Sequence, residues 1–287
     1  MSWLLFALLG INLWAIVNII DKNVVSKRVK SPLTALIIGN IPALFYGLIA
    51  FFIARAFSIE GFFIGIGWAF ILLLYYKALS LDEASKIVAL YSLTPIVVSI
   101  LAFVFLGEAF GPEKYIGIIF IVLGAMLISM KKLGKFTFSK ALPIMLLTVV
   151  VYGIMIVLMK SVIDAQGFIP IFTGMEFGIF LGTFSLMTIG KYRKEVKKAK
   201  KKTFLLLFFG SMFGVSGLLS IMIALSMGPA SLISAIEQTQ ALFLLFYIII
   251  LTHLKPHIIK EDITRGSLMI KVVAILMMIV GAVVVGS

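Results

Sequence analysis

Ten runs of mostly apolar residues, each about as long as a bilayer is thick, limit what this chain can fold into. They cover roughly 3–20, 33–54, 60–79, 85–106, 114–130, 141–160, 169–190, 203–225, 230–252 and 268–285. Crossing a hydrocarbon core of about 30 Å takes about 20 residues of helix. A backbone in lipid must satisfy its own hydrogen bonds, which leaves helices or closed barrels. Runs of this length without two-residue alternation are helices. The first run leads into Asp21-Lys22 without an Ala-x-Ala-like cleavage site, so it reads as a retained membrane helix. Composition agrees, with 62% hydrophobic and only 13% charged residues, where a water-soluble domain carries about 25% charged. So little charge cannot cover an outer surface facing water. The expected fold is therefore an all-α integral membrane protein of ten transmembrane helices, and its expected location is the cell membrane as a multi-pass protein.

The net charge of +13 is distributed like a topology signal rather than a nucleic-acid patch, so no nucleic-acid partner is expected. Loops after runs 1, 3, 5, 7 and 9, with Lys77 and Lys86 at the 3–4 turn, hold 21 lysines and arginines. The opposite side has three, Arg55, Lys114 and Lys160, while Lys271 lies inside the tenth run. The positive-inside rule makes the lysine-rich side cytoplasmic and puts both termini outside. The densest run, 191–202, can hold anionic lipid head groups at about 1 kcal/mol per basic residue. It can equally be a solvated topology determinant.

Internal similarity decides the architecture. An offset of 138 places Trp14 on Tyr152, Lys22 on Lys160 and Pro32 on Pro170. An offset of 146 aligns 78–95 with 224–241 and gives seven identities in 18 positions, among them Ala78-Leu79-Ser80 on Ala224-Leu225-Ser226 and Ala84-Ser85 on Ala230-Ser231. An offset of 157 puts Gly124-Ala125 on Gly281-Ala282. The steps between offsets fall in loops, where a duplicated unit diverges most readily. Chance matching of apolar helices is the alternative. Five helices per unit is an odd number, so the second half, 136–287, starts on the opposite side from the first, 1–135. Inverted repeats of this kind occur in many secondary transporters, whose solute sites lie near the midplane.

The residues Ala78-Leu79-Ser80, Ala84-Ser85, Leu93-Thr94-Pro95-Ile96, Leu106-Gly107-Glu108 and Val122-Leu123-Gly124-Ala125 resemble the EamA repeat of the drug/metabolite transporter superfamily. Trp14 and Asn18 also sit where that family often has a tryptophan and an asparagine. The second half keeps Ala224-Leu225-Ser226 and Ala230-Ser231 but has no Gly-Glu after the ninth run. The resemblance implies a ten-helix carrier of small metabolites, amino acids or drugs, with no bound cofactor. It also implies cytoplasmic termini, against the charge count. The charge count belongs to this sequence and is followed here.

Enzyme signatures are missing from the sequence: no HExxH, no glycine-rich phosphate loop, and only two histidines. His253 and His257 are four apart, but Pro256 between them spoils a helical ligand pair. No metal and no enzymatic activity are expected. Attention moves to polar residues inside the runs, because an ionisable group at the bilayer centre costs about 2.5–3.5 kcal/mol even on the lenient insertion scale. Glu176 and Glu237 each lie seven residues into runs that start on the lysine-poor side. Each is therefore about 10 Å deep at 1.5 Å per residue. Ser234, Glu237, Gln238 and Ala241 follow i, i+3, i+4, i+7, one helical face. The repeat alignment sets Tyr91, Ser92 and Thr94, with the kinking Pro95, opposite Glu237, Gln238 and Gln240. Asn40 lies within a turn of the position matching Glu176, and Asn12, Trp14, Asn18, Tyr75 and Tyr76 complete a polar and aromatic set. Bonding between helices or contact with a solute accounts equally for Asn12, Asn40, Ser92 and Thr94. Gly61, Gly65, Gly67 and Gly210, Gly214, Gly217 lie on corresponding runs and permit close helix approach, as sliding or static surfaces.

The expected function is a secondary carrier of small organic metabolites (amino acids, amines or drug-like compounds) in which a buried carboxylate binds an amine or a proton. The rival is a lipid-handling protein, a flippase or scaffold, using 191–202 at head groups. Fold alone does not name a substrate.

Overall fold

The computed structural model describes all residues except Met1, Arg28, Lys30, Ser80, 82–86, 88–89, 130–140 and 255–264. Ser80, Ala84, Ser85 and Ala89 of the repeat, Lys86, His257 and the boundary at 135 lie outside the described residues. Those described are helical, with no strand among them. The first half contains α1 (Ser2–Lys27), α2 (Pro32–Gly39), α3 (Ile41–Ala54), α4 (Ile59–Leu79), α5 (Thr94–Leu106) and α6 (Pro112–Ser129). The second contains α7 (Leu142–Gln166), α8 (Phe168–Phe184), α9 (Gly190–Lys197), α10 (Lys201–Met227), α11 (Ala230–Glu237), α12 (Gln240–Leu254) and α13 (Arg265–Gly286). Six segments are long and apolar enough to cross a membrane: Ser2–Asp21, Pro32–Ala54, Ile59–Ala78, Leu142–Gln166, Phe168–Thr188 and Lys201–Met227. Large apolar side chains point outward along them and along the shorter helices, with Leu5 at 72%, Ile53 at 80% and Phe105 at 72% exposure. That outer surface cannot face water, and the chain is a membrane protein.

Three of the expected spans are not continuous helices. The run 33–54 breaks at Asn40, between α2 and α3. Pro42 has no N–H to return to the Ile38 carbonyl, and the side chain and backbone N–H of Asn40 both donate to the Leu36 carbonyl, at 2.8 and 3.1 Å. The run 85–106 turns at Ser92-Leu93 before α5. There Pro95 leaves the Tyr91 carbonyl without its helical donor, and the Thr94 hydroxyl supplies one at 2.6 Å. The run 230–252 turns at Gln238-Thr239 between α11 and α12, with backbone bonds tightened to Gln238 N–Ala235 O and Thr239 N–Ile236 O. The breaks at 92–93 and 238–239 occupy matching positions under the 146 offset. The expected continuous face Ser234–Glu237–Gln238–Ala241 is corrected accordingly, because the helix ends inside it. A further departure is α9, a short helix inside the basic loop, tied to α2 where the Thr34 hydroxyl donates to Glu195 at 2.6 Å.

The most extensive packing pairs α1 with α10, α4 with α8 and α6 with α13. Glycines bring backbones together in each pair. A Cβ added at Gly61 would sit 2.6 Å from the Ile171 carbonyl oxygen, and one at Gly65 would collide with the carbonyl of Met175. Gly174 and Gly178 of α8 meet the backbone of α4 in the same way, at Ser58 and Phe62. Gly217 packs against Gly10 and Trp14 of α1, and Gly67 faces Met155 of α7. Lys114 joins α6 to α13, donating to the Val284 and Val285 carbonyls at 2.9 and 3.4 Å. Glu108, just beyond α5, accepts from the Ala230 and Ser231 backbone N–H groups at 2.6 and 3.0 Å and from the Ser231 hydroxyl. It is the N-terminal cap of α11, borrowed from the other half of the chain.

Candidate functional site

The helix breaks surround a cavity of about 330 Å³. Typical small-molecule sites have about 300–1,000 Å³. Both halves contribute to its walls, through Trp14, Asn18 and Asp21 of α1, Asn40, Trp68, Tyr75 and Tyr76 of α4, Tyr91, Ser92, Tyr152 of α7, Glu176 of α8, Ser211 and Gly214 of α10, and Glu237, Gln238 and Gln240. Of the residues expected from the sequence, Trp14, Asn18, Asn40, Tyr75, Tyr91, Ser92, Glu176, Glu237 and Gln238 come together here.

Asn12 and Thr94 do not. Asn12 accepts a hydrogen bond from the Tyr247 hydroxyl of α12 at 2.8 Å, so its amide holds two helices together. Thr94 is fully buried and its hydroxyl is committed to the carbonyl that Pro95 strands. Neither lines this cavity. Ser234 likewise turns back onto its own helix, donating to Ser231 at 2.9 Å.

Sequence reading missed several wall residues, three of which bear on the chemistry. Tyr152 donates to Glu237 Oε2 at 2.7 Å and had a visible signal, its alignment with Trp14. Trp68 stacks near Tyr152 with ring centroids 5.2 Å apart. Asp21 read as the end of the first run, but α1 continues to Lys27 and carries that carboxylate into the cavity. There it accepts from the Tyr76 hydroxyl at a long 3.4 Å. Tyrosine rings run between the two carboxylates. Tyr152 and Tyr91 lie 5.4 Å apart, Tyr91 and Tyr75 5.8 Å, and Tyr75 and Tyr76 6.1 Å, all edge to face.

The buried carboxylates are the chemical anomaly. Glu176 is 0% exposed and Glu237 5%. Among the described residues neither oxygen of Glu176 has a hydrogen-bond partner, nor does Oε1 of Glu237. Buried polar groups are nearly always paired, and a lone buried charge is costly. Trp14, by contrast, is satisfied, its indole N–H donating to the Gly214 carbonyl at 3.0 Å.

Residues 1–130 match the EamA-like transporter family, one of the families of the drug/metabolite transporter superfamily. That match covers 130 of the 287 residues, and the matched family is one of membrane transporters. A crystal structure of a protein aligns with 99% of this chain and 96% of its own at a TM-score of 0.73 and 15% identity, a likeness of fold. No curated protein matches the sequence.

Proposed function

We propose that this protein is a secondary transporter of small organic metabolites (amino acids, amines or drug-like compounds), working by alternating access between two inverted five-helix halves, 1–135 and 136–287. The observation that carries the reading is a cavity walled by both halves, with unpartnered buried carboxylates in an EamA-type chain. Three further features support it. Helix partners exchange under the repeat alignment: α1 packs on α10 as α7 packs on α4, while α5 packs on α11 and α6 on α13. Breaks at equivalent positions of the two halves supply the discontinuous helices on which carriers of inverted topology build their sites. Contact direction also agrees, since Gly10 meets Gly217 and Gly210 meets Ile20 (antiparallel), while Gly61 meets Ile171 and Gly182 meets Ala69 (parallel).

Glu237 is the proton or solute carboxylate, and rocking of the halves exposes it alternately. The lysine-rich side, with α9, is cytoplasmic, where α9 rests on anionic head groups. The lipid-handling alternative finds less support, because a cavity lined by Asp21, Glu176 and Glu237 repels anionic head groups. The test is uptake of a labelled metabolite panel into proteoliposomes with and without a pH gradient, for the native protein and Glu237→Gln. Saturable uptake that the gradient stimulates and the variant loses is expected. Normal uptake by a folded Glu237→Gln variant with unchanged gradient dependence refutes the role given to Glu237, and no uptake of any solute refutes the carrier.

A further inference from the structure

The chain carries a formal charge of +13, yet the ionisable groups on the cavity wall other than tyrosines are three carboxylates, Asp21, Glu176 and Glu237. No lysine, arginine or histidine is among the described residues that line it. Resting on the carrier reading above, we infer that the transported solute is a small organic cation with an apolar or aromatic body, received at Asp21, guided along the tyrosine wall and held between Glu176 and Glu237.

Each part of the site asks for that chemistry. An ionised carboxylate only accepts hydrogen bonds, and three such oxygens, both of Glu176 and Oε1 of Glu237, lie buried and unpartnered. An ammonium group brings three donors and the compensating charge. Its arrival relieves the cost of leaving a carboxylate unpaired in a medium of low dielectric. The rings of Trp68, Tyr152, Tyr91, Tyr75 and Tyr76 form an unbroken file from Glu237 to Asp21, each step 5.2–6.1 Å between centroids. Aromatic faces attract a cation within about 6 Å and do so most strongly where water is excluded. An anion has no partner there. A zwitterion is no better served, since its carboxylate would meet only neutral donors such as Asn18, Asn40, Gln238 and Gln240 while facing three like charges. The acidic lining is therefore a selectivity device, and the tyrosine file is the path that lets a desolvated cation travel between two carboxyl groups.

Three probes sharing one ring separate the possibilities: phenethylammonium, phenylalanine and 3-phenylpropionate, each radiolabelled. Binding to the full-length protein in detergent and uptake into proteoliposomes are both measured. The cation is expected to bind at least about tenfold more tightly than the zwitterion and the anion, the effect of a single well-placed charged contact. Glu237→Gln and Glu176→Gln should each remove about tenfold of that preference. Asp21→Asn, at the other end of the tyrosine file, should slow uptake while leaving equilibrium binding nearly intact, and serves as the independent variant if a buried substitution fails to fold. Equal or better binding of phenylalanine or phenylpropionate, no binding of the cation, or a cation preference that survives all three substitutions overturns the inference. Uptake of the zwitterion or anion would do so while leaving the carrier standing. Carboxylate-dependent binding of the cation without uptake under any gradient would instead remove the carrier and keep the cation site.

Discussion

Removing the carboxylate of Glu108 should loosen the far end of the short helix that carries Glu237. The helix α11 has only two turns, Ala230–Glu237, with Glu108 bonded to its first residues and the site glutamate at its end. Glu108→Ala deletes acceptors for two backbone N–H groups and one hydroxyl. A hydrogen bond to a charged group is worth about 1.5–3 kcal/mol, and loss of a helix cap about 0.5–2 kcal/mol. These bonds share one partly exposed carboxylate, where water can replace part of them, so the net loss should be about 2–3 kcal/mol rather than a sum over three. For a chain of this size that corresponds to a fall of roughly 4–10 °C in thermal midpoint. The assay is fluorescence-detected thermal unfolding in detergent, run beside Glu108→Gln, which keeps one good acceptor and should lose less than half as much. Solute affinity should weaken with the same ranking, because α11 positions Glu237. An unchanged midpoint and affinity in Glu108→Ala would mean that the cap does not hold the site, and the reasoning fails.

Thr94→Val should cost about 1–3 kcal/mol, since the carbonyl freed by Pro95 is then left buried without a donor, whereas Thr94→Ser should be close to native in the same unfolding assay. Gly65→Val should abolish uptake and lower the yield of monodisperse protein, because its side chain would have to occupy the space of the Met175 carbonyl; normal uptake would show that α4 and α8 are not in backbone contact. The sequence contains no cysteine, so single cysteines placed at Lys198 and Ser287 can be labelled without background. A membrane-impermeant thiol reagent on intact cells should modify the cysteine at 287 and spare that at 198, and the reverse pattern would show that the charge count misorients the chain.

Much of the architecture was readable because lipid imposes it. Apolar length marked the six segments long enough to cross a membrane, and the 146 offset paired 92 with 238, where the chain turns at both places. Pro95 announced one of those turns. The turn at Gln238-Thr239 has no proline, and Asn40 owes its break to Pro42 two residues on, so neither was apparent from periodicity. Glu176 and Glu237 were legible as costly residues, and both line the cavity. Asp21 was not, since a charge after an apolar run reads as an interface until α1 is seen to continue past it. Trp68 and Tyr152 were hidden for a different reason. In a chain rich in aromatic residues, only the pairing of α4 with α7 determines which rings turn inward. Asn12 and Thr94 show the converse: their polarity serves Tyr247 and a stranded carbonyl.

The glycine contact between α4 and α8 has a kinetic consequence. Its counterpart under the repeat alignment, α10 against α2 and α3, is bridged by side chains, with the Tyr46 hydroxyl 3.0 Å from that of Ser216 and the Phe45 and Phe208 rings 5.7 Å apart. Side chains yield one rotamer at a time, on fast timescales. Backbones locked through Gly61, Gly65, Gly174 and Gly178 part only as whole helices, losing many small contacts together. Were the halves to rock as proposed, the two half-cycles would have barriers of different kinds, one graded and one all-or-none. Under that reading KM and the maximal rate differ between the two directions, while their ratio stays the same in both and equal concentrations give no net flux.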